Sequence, residues 1–254
     1  MSTSAFRPPA RPSRKKHTLF MMPSLLCRDR RTVSRILAAV LLAAAVSLGS
    51  GACQGRQRAQ RHERGQAGRF DSYVLALSWA PAFCAQGGNN RTSRECDTRR
   101  HLGFVVHGLW PQLAGGTPLE YCGSVPPASH AIVEDMLRIM PERSLIQHEW
   151  RAHGSCSGLS ARDYFAMVKK AYARVTVPRQ FEYRGHRIEA KPVDLEQMFQ
   201  TEGGIGNSAA IRVACRGGEL TEVRICLSRS LEPIPCANNV RECPAPHVLV
   251  RPIP

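Results

Sequence analysis

The sequence predicts a mixed domain of strands and helices with disulfide bridges. Three observations accord with that class. Strand-like and helix-like stretches are interspersed along the chain after residue 70. No Gly-rich nucleotide loop follows any of the strand-like stretches. Eight cysteines lie beyond Cys53, an even number, and none forms a Cys-x-x-Cys pair of the zinc or redox kind.

In order, the chain opens on a basic leader, residues 1–52. Arg28, Arg30, Arg31 and Arg35 precede an uncharged, mostly apolar run of 13 residues, 36–48, and Ser50-Gly51-Ala52 supplies small residues before a cut. A membrane-spanning helix needs about 20 apolar residues, so this run reads as an export signal instead. The first 20 residues make a long n-region, and Met21 or Met22 is an alternative start. Cys53 after Gly-Ala raises lipid anchoring as the lesser possibility, because Ser50 sits where leucine is usual. Residues 53–69 read as a disordered polar tether, and residues 70–254 as a single domain.

The formal charge of +15 invites a nucleic-acid reading, but its distribution removes most of that inference. Residues 1–69 carry 14 Lys/Arg against 2 Asp/Glu, whereas residues 70–254 carry 21 against 18. Any nucleic acid bound by the domain must meet local patches rather than a global basic field.

Within the domain, Phe104-Val105-Val106-His107-Gly108-Leu109-Trp110-Pro111 runs three apolar residues into a histidine and a Gly-containing turn. That pattern predicts a buried strand delivering His107 at its end, although alone it fits a merely hydrogen-bonded histidine. Ile132, Val133, Met136, Leu137 and Met140 form a helical face over 131–140, ended by Pro141. The stretch His148-Glu149-Trp150-Arg151-Ala152-His153-Gly154-Ser155-Cys156 predicts a short helix stopped by Gly154. At 100° per residue, Glu149 and His153 then share a face and His148 lies about 140° from His153. One histidine paired with a carboxylate and another facing elsewhere suits acid–base work. The zinc-protease pattern needs histidines four apart on one face. Here they are five apart and residue 152 is alanine, so no metal ligand set is assigned. A structural helix with surface histidines is the plain alternative for this stretch taken alone.

Ser160-Ala161-Arg162-Asp163 is a capping-box variant opening a helix whose apolar stripe, Tyr164, Phe165, Val168, Ala171, Tyr172 and Val175, is core. Residues 193–200 predict a third helix. Residues 211–215, 222–228 and 248–253 read as β-rich. His101, His130, His186 and His247 stand in polar or turn-like surroundings and read as surface or structural.

The two histidine-bearing stretches together resemble the paired active-site signatures of the ribonuclease T2 family, the acid, base-nonspecific ribonucleases, in their bacterial periplasmic form. Residues 71–79, with Phe83-Cys84 after them, also resemble that family's first strand. The resemblance covers roughly residue 70 to the C terminus. It implies an α+β fold, a largely antiparallel sheet packed by helices, and four bridges, Cys84–Cys96, Cys122–Cys156, Cys215–Cys243 and Cys226–Cys236. It further implies cleavage of single-stranded RNA of broad base preference through a 2′,3′-cyclic phosphate to a 3′-phosphate. His153 would be the base, His107 the acid and His148 a phosphate ligand. Glu149 would orient a histidine or assist at the phosphate. Trp110 would help stack a base, its alternative being a core tryptophan beside Pro111; Trp150 reads as core. No cofactor or metal is implied, DNA is not expected to be cut, and the protein is expected to be a monomer in the periplasm or outside the cell. The family usually places Lys or Arg where this chain has Ala152, and Arg151 compensates only if the turn is irregular. That departure leaves open a catalytically weakened, RNA-binding or stress-related member, and it predicts that Ala152→Lys raises the rate.

Overall fold

The computed structural model describes residues 65–86 and 93–254. The expected leader and all but the end of the expected tether lie outside the described residues. The end of that tether, residues 65–69, packs on the domain: the Gly68 amide donates to the Cys156 carbonyl at 2.9 Å, and Gly65 lies against Leu119 and Cys122.

Among the described residues, seven strands form one sheet. β1 (Ser72–Trp79) is central, flanked by β2 (Phe104–Leu113) and by β6 (Glu219–Ser228), both antiparallel to it. The two-residue β3 (Thr117–Pro118) extends the β2 side. β5 (Ile211–Arg216) pairs with β6, and β7 (Val248–Val250) links β6 to β4 (Ile188–Ala190). Only the β6–β7 contact is parallel among these pairings, so the sheet is largely antiparallel as expected. The helices are α1 (Ala80–Ala85), α2 (His130–Met136), α3 (Arg143–Ala152), α4 (Ala161–Tyr172) and α5 (Pro192–Thr201).

Alternation along the three middle strands decides what each sheet face does. Tyr73, Leu75, Leu77 and Trp79 of β1, with Val223, Ile225 and Leu227 of β6, enter the main core against Ile146, Trp150, Tyr164, Phe165 and Val168 from the helices. Residues between them point to the other face. There Val74 and Cys226 form a second, smaller cluster with Cys236 and Val240, and Trp110 packs on it. The register sets Val74 opposite both Trp110 and Cys226, and Ala76 opposite both Gly108 and Arg224.

Several elements differ in extent from expectation. α2 stops at Met136 because Ile139 leaves the helix to accept the Val106 amide at 2.9 Å, closing a stretch of β2 that has no strand beyond it. β6 begins three residues before the predicted stretch, carried by its hairpin with β5, and β7 ends at Val250. Ser160 caps α4 through the Asp163 amide while its hydroxyl donates to the Asp163 carboxylate at 2.7 Å. Four bridges join Cys84 to Cys96, Cys122 to Cys156, Cys215 to Cys243 and Cys226 to Cys236. Among the described residues, no helix is long and apolar enough to cross a membrane.

Candidate active site

His107 is not at the end of a strand, contrary to the sequence reading. It sits inside the ten-residue β2, and Gly108 continues the strand instead of turning it. Opposite Ala76 stands Gly108 and opposite Leu77 stands Val106, so His107 is one extra residue with no partner on β1. Such a bulge re-aims a side chain next to the ladder it interrupts. Here it leaves His107 beside Gly108 on the face that carries Trp110. From that position His107 Nδ1 meets Glu222 Oε1 of β6 at 2.6 Å. The side chains bridge over β1, whose residues at that level, Ala76 and Ser78, are small.

Gly108 serves a different purpose from the expected turn. A Cβ there would collide with the Glu149 carboxylate and lie 2.5 Å from Trp110 Nε1. The missing side chain is what admits the buried Glu149, 1% exposed, between β2 and α3. Its Oε2 accepts the Trp110 indole N–H at 2.8 Å, and its Oε1 stands 3.6 Å from His107 Nε2 with no hydrogen-bond partner.

α3 ends one residue earlier than Gly154 would stop it. His153 caps the helix, its amide still donating to the Glu149 carbonyl at 3.0 Å, and a 3₁₀ turn, Gly154–Cys156, follows. Gly154 is required by space: a Cβ would run into the Trp150 ring and come within 3.0 Å of Tyr164. Trp150 itself is buried, its indole donating to the Pro126 carbonyl at 2.8 Å. Glu149 and His153 do lie one helical turn apart, yet the Glu149 carboxylate reaches Trp110 and His107, not His153. The His153 partner is instead the Leu119 carbonyl, 3.2 Å from Nδ1. A carbonyl only accepts, so the neutral ring carries its proton on Nδ1 and keeps a lone pair on Nε2.

These groups share one pocket of about 290 Å³, lined by His107, Trp110, His148, Glu149, His153 and Arg224 among others. The His107 and His153 ring centroids lie 5.1 and 5.3 Å from that of Trp110. His148 is exposed at the rim near Tyr121. The Cys122–Cys156 bridge ties the segment after β3, which carries Leu119, to the turn after His153. His101, His130, His186 and His247 do not line the pocket. Ala152 is 1% exposed, and Arg151 points to solvent, so neither contributes to the lining.

Surroundings drive the titratable groups apart. Burial works against charge on His107, but the Glu222 hydrogen bond and charge, with Glu149 and Glu95, outweigh it and raise its pKa above the usual value. For His153, burial dominates with little to oppose it, and its pKa falls to about 4. Burial lifts Glu149 to about 7 despite the His107 charge and the Trp110 bond. Glu222 is held down at about 2: its burial is more than offset by His107 and Arg224.

Two members of this constellation escape sequence reasoning, Glu222 and Arg224. Arg224 grips Glu222 Oε2 through Nε at 2.9 Å and Nη2 at 2.7 Å, and its guanidinium lies 5.6 Å from the Trp110 ring centre. The only signal for them is an acid and a base two residues apart in an otherwise apolar strand, Glu222-Val223-Arg224-Ile225-Cys226. Among the described residues, no group of three or more His, Cys, Asp or Glu is arranged to hold a metal ion.

Comparisons with known proteins agree on one family. The model of the ribonuclease T2 family matches residues 70–236. A ribonuclease of Aeromonas hydrophila is 31% identical over 198 residues, spanning 74% of this chain and 88% of that protein. Ribonuclease I of Escherichia coli is 26% identical over 227 residues, spanning 72% of this chain and 84% of that protein. Among solved structures, ribonuclease MC1 from the seeds of bitter gourd superposes with a TM-score of 0.56 at 20% identity, covering 70% of this chain and 99% of its own. The ribonuclease-related protein of Calystegia sepium gives 0.57 at 19% identity, covering 73% and 98%.

Proposed function

The chain belongs to the ribonuclease T2 family and is a ribonuclease, and we propose that it cleaves single-stranded RNA without a metal ion by attack of the ribose 2′-hydroxyl on the adjacent phosphate. The observation that carries this reading is a pair of imidazoles from separate segments, facing one pocket with opposite pKa shifts. In-line displacement needs a base at the attacking hydroxyl and an acid at the leaving 5′-oxygen.

His153 is the base: its lowered pKa leaves it neutral in mildly acid solution, with the Nε2 lone pair available. His107 is the acid: its raised pKa keeps it protonated there, with Nδ1–H given to Glu222 and Nε2–H free for the leaving oxygen. Two groups of one residue type are thus split by environment into opposite roles. His148 at the rim is a ligand for a phosphate oxygen. Glu149, neutral below about 7, offers an O–H to another oxygen or holds His107 in place. The exposed part of the Trp110 indole offers a face for a base, a contact that tolerates any base. The product is a 2′,3′-cyclic phosphate, opened by water to a 3′-phosphate, and DNA, lacking the attacking hydroxyl, is spared. The leader and the four bridges support export to the periplasm or beyond, and the protein acts as a monomer.

The test is turnover of a long single-stranded RNA in EDTA, with the ends analysed for cyclic phosphate. Activity abolished by His107→Ala and by His153→Ala is expected. RNA binding without cleavage would sink the enzyme mechanism and favour the weakened member that Ala152 leaves open. Loss of cleavage in EDTA would sink the metal-free mechanism.

A further inference from the structure

Cleavage by this route gathers negative charge on the phosphorane oxygens, and a pocket that accelerates it must present fixed positive charge there. Of the described residues lining the pocket, Arg224 is the one Lys or Arg. It comes from β6, across the sheet from both histidine segments. Arg151 is exposed and outside the lining, and the buried Ala152 offers no charge.

The setting of Arg224 is that of a group built into place. Two of its nitrogens converge on one oxygen of Glu222, Oε2, in charge-assisted hydrogen bonds that hold the guanidinium in place. Its side chain is 23% exposed, and its guanidinium carbon lies over the Trp110 ring, 5.6 Å from the ring centre. Nη1 makes no hydrogen bond among the described residues. The same Glu222 accepts from His107 through its other oxygen. One carboxylate therefore connects the permanent cation to the candidate acid, with its two oxygens divided between them. A carboxylate held by Arg224 cannot swing away from His107, and an imidazole held at Nδ1 must turn Nε2 outward, toward Glu149.

We propose that Arg224 is the cation that binds the scissile phosphate and stabilises its transition state, and that Glu222 is the positioning residue coupling it to His107. The inference rests on the ribonuclease mechanism above for the catalytic half of the claim; the phosphate-binding half stands without it. Arg224 would thereby supply from a strand the charge that relatives place on the helix before the second histidine.

The experiment measures kcat and KM on a dinucleoside phosphate, together with calorimetric binding of uridine 3′-monophosphate, for six proteins: the intact enzyme, Arg224→Gln, Arg224→Lys, Arg224→Ala, Glu222→Gln and Arg151→Ala. Arg224→Gln keeps an amide donor for Glu222 but removes the charge. A fall in kcat of roughly a hundred- to a thousandfold is expected, the usual consequence of losing one such donor, with weakened nucleotide binding. Arg224→Lys should retain part of both, and Arg151→Ala should retain all. Added guanidinium ion should restore turnover to Arg224→Ala, which a purely structural role would not allow. If that alanine variant fails to fold with Glu222 left unpaired, the glutamine and lysine variants carry the measurement. Glu222→Gln should move the alkaline limb of the pH–rate profile downward, because the charge that raises the His107 pKa is gone.

Unchanged kcat and nucleotide binding in Arg224→Gln would overturn the proposal while leaving the histidine mechanism intact, as would loss of activity in Arg151→Ala instead. An unmoved alkaline limb in Glu222→Gln would overturn the positioning role. Should the intact protein cleave nothing yet bind the nucleotide, with binding lost in Arg224→Gln, the ribonuclease mechanism falls and the phosphate site stands.

Discussion

Gly108→Ala should disable the site by adding one methyl group. The new Cβ would overlap the Glu149 carboxylate, at 2.8 Å from its Cδ, and lie 2.5 Å from Trp110 Nε1. Neither neighbour is a loose end. Glu149 is 1% exposed and accepts the Trp110 N–H at 2.8 Å, so it has nowhere to retreat without breaking that bond. Overpacking of this kind costs about 1–3 kcal/mol, and losing a hydrogen bond to a buried acid group costs about 1–3 kcal/mol more. A total of roughly 2–6 kcal/mol is expected, read as an earlier urea midpoint with an unchanged slope. Activity should fall further than stability. Trp110 and Glu149 are the groups between the two imidazoles, and a displacement of about 1 Å in a positioned site costs on the order of a hundredfold. The assay pairs urea unfolding with initial rates on polyuridylate, under conditions where the variant is fully folded. Wild-type kcat together with wild-type stability would show that Glu149 does not sit on Gly108, and the account of the bulge and its glycine would fail.

Other expectations follow from the same geometry. The pH dependence of kcat/KM should be a bell: activity rises as His153 loses its proton near pH 4 and falls above the raised pKa of His107, and a profile still rising past neutrality would refute His153 as a base held neutral by burial. Glu95, buried with one oxygen lacking a partner, has its pKa lifted to about 7 from a usual 4.5. The stability it adds is therefore full below about 4.5 and lost as pH rises through 7, so Glu95→Gln should stabilise the protein at pH 8 and not at pH 4 in thermal melts. Replacing Cys122 and Cys156 together by serine opens a loop spanning 34 residues, worth roughly 3–4 kcal/mol by chain entropy, and should also lower kcat by loosening Leu119 against His153; a stability loss with full activity would limit the bridge to a structural role. Ala152→Lys should give no gain in rate, against the sequence expectation, since residue 152 is buried outside the pocket lining and Arg224 already lines it; a tenfold gain would return the role to the helix.

What the sequence made legible was local. The Ser160 cap, the apolar stripe of α4 and the core position of Trp150 follow from short-range patterns, and all three appear in the structure. His107, His148, Glu149, His153 and Trp110 were nominated from two short stretches, and the structure gathers all five around one pocket. The arrangement of that pocket was not legible. Whether a strand carries an extra residue depends on its partner, and nothing in Phe104–Leu113 reveals that Ala76 faces Gly108 while Leu77 faces Val106. The link from His107 to Glu222 spans 115 positions and exists only because β6 pairs with β1 in one register. A shift of one residue would turn Glu222 and Arg224 into the core and Val223 and Ile225 out of it.

That dependence on register also explains how two histidines come to differ. Their intrinsic chemistry is the same, so the division between them must come from what each meets. The bulge sends His107 over the small residues of β1 to a carboxylate on the next strand, where any loss of solvation is more than repaid in charge. His153, at the cap of α3, meets only a carbonyl and is enclosed without a counter-charge. The sheet thus holds one ring protonated and the helix end keeps the other neutral, and both conditions are satisfied at once between about pH 4 and the raised pKa of His107. The shape of the pH profile is on this view a property of strand pairing as much as of the residues themselves: a change that breaks the β1–β6 register should abolish the pH bell even with every histidine in place.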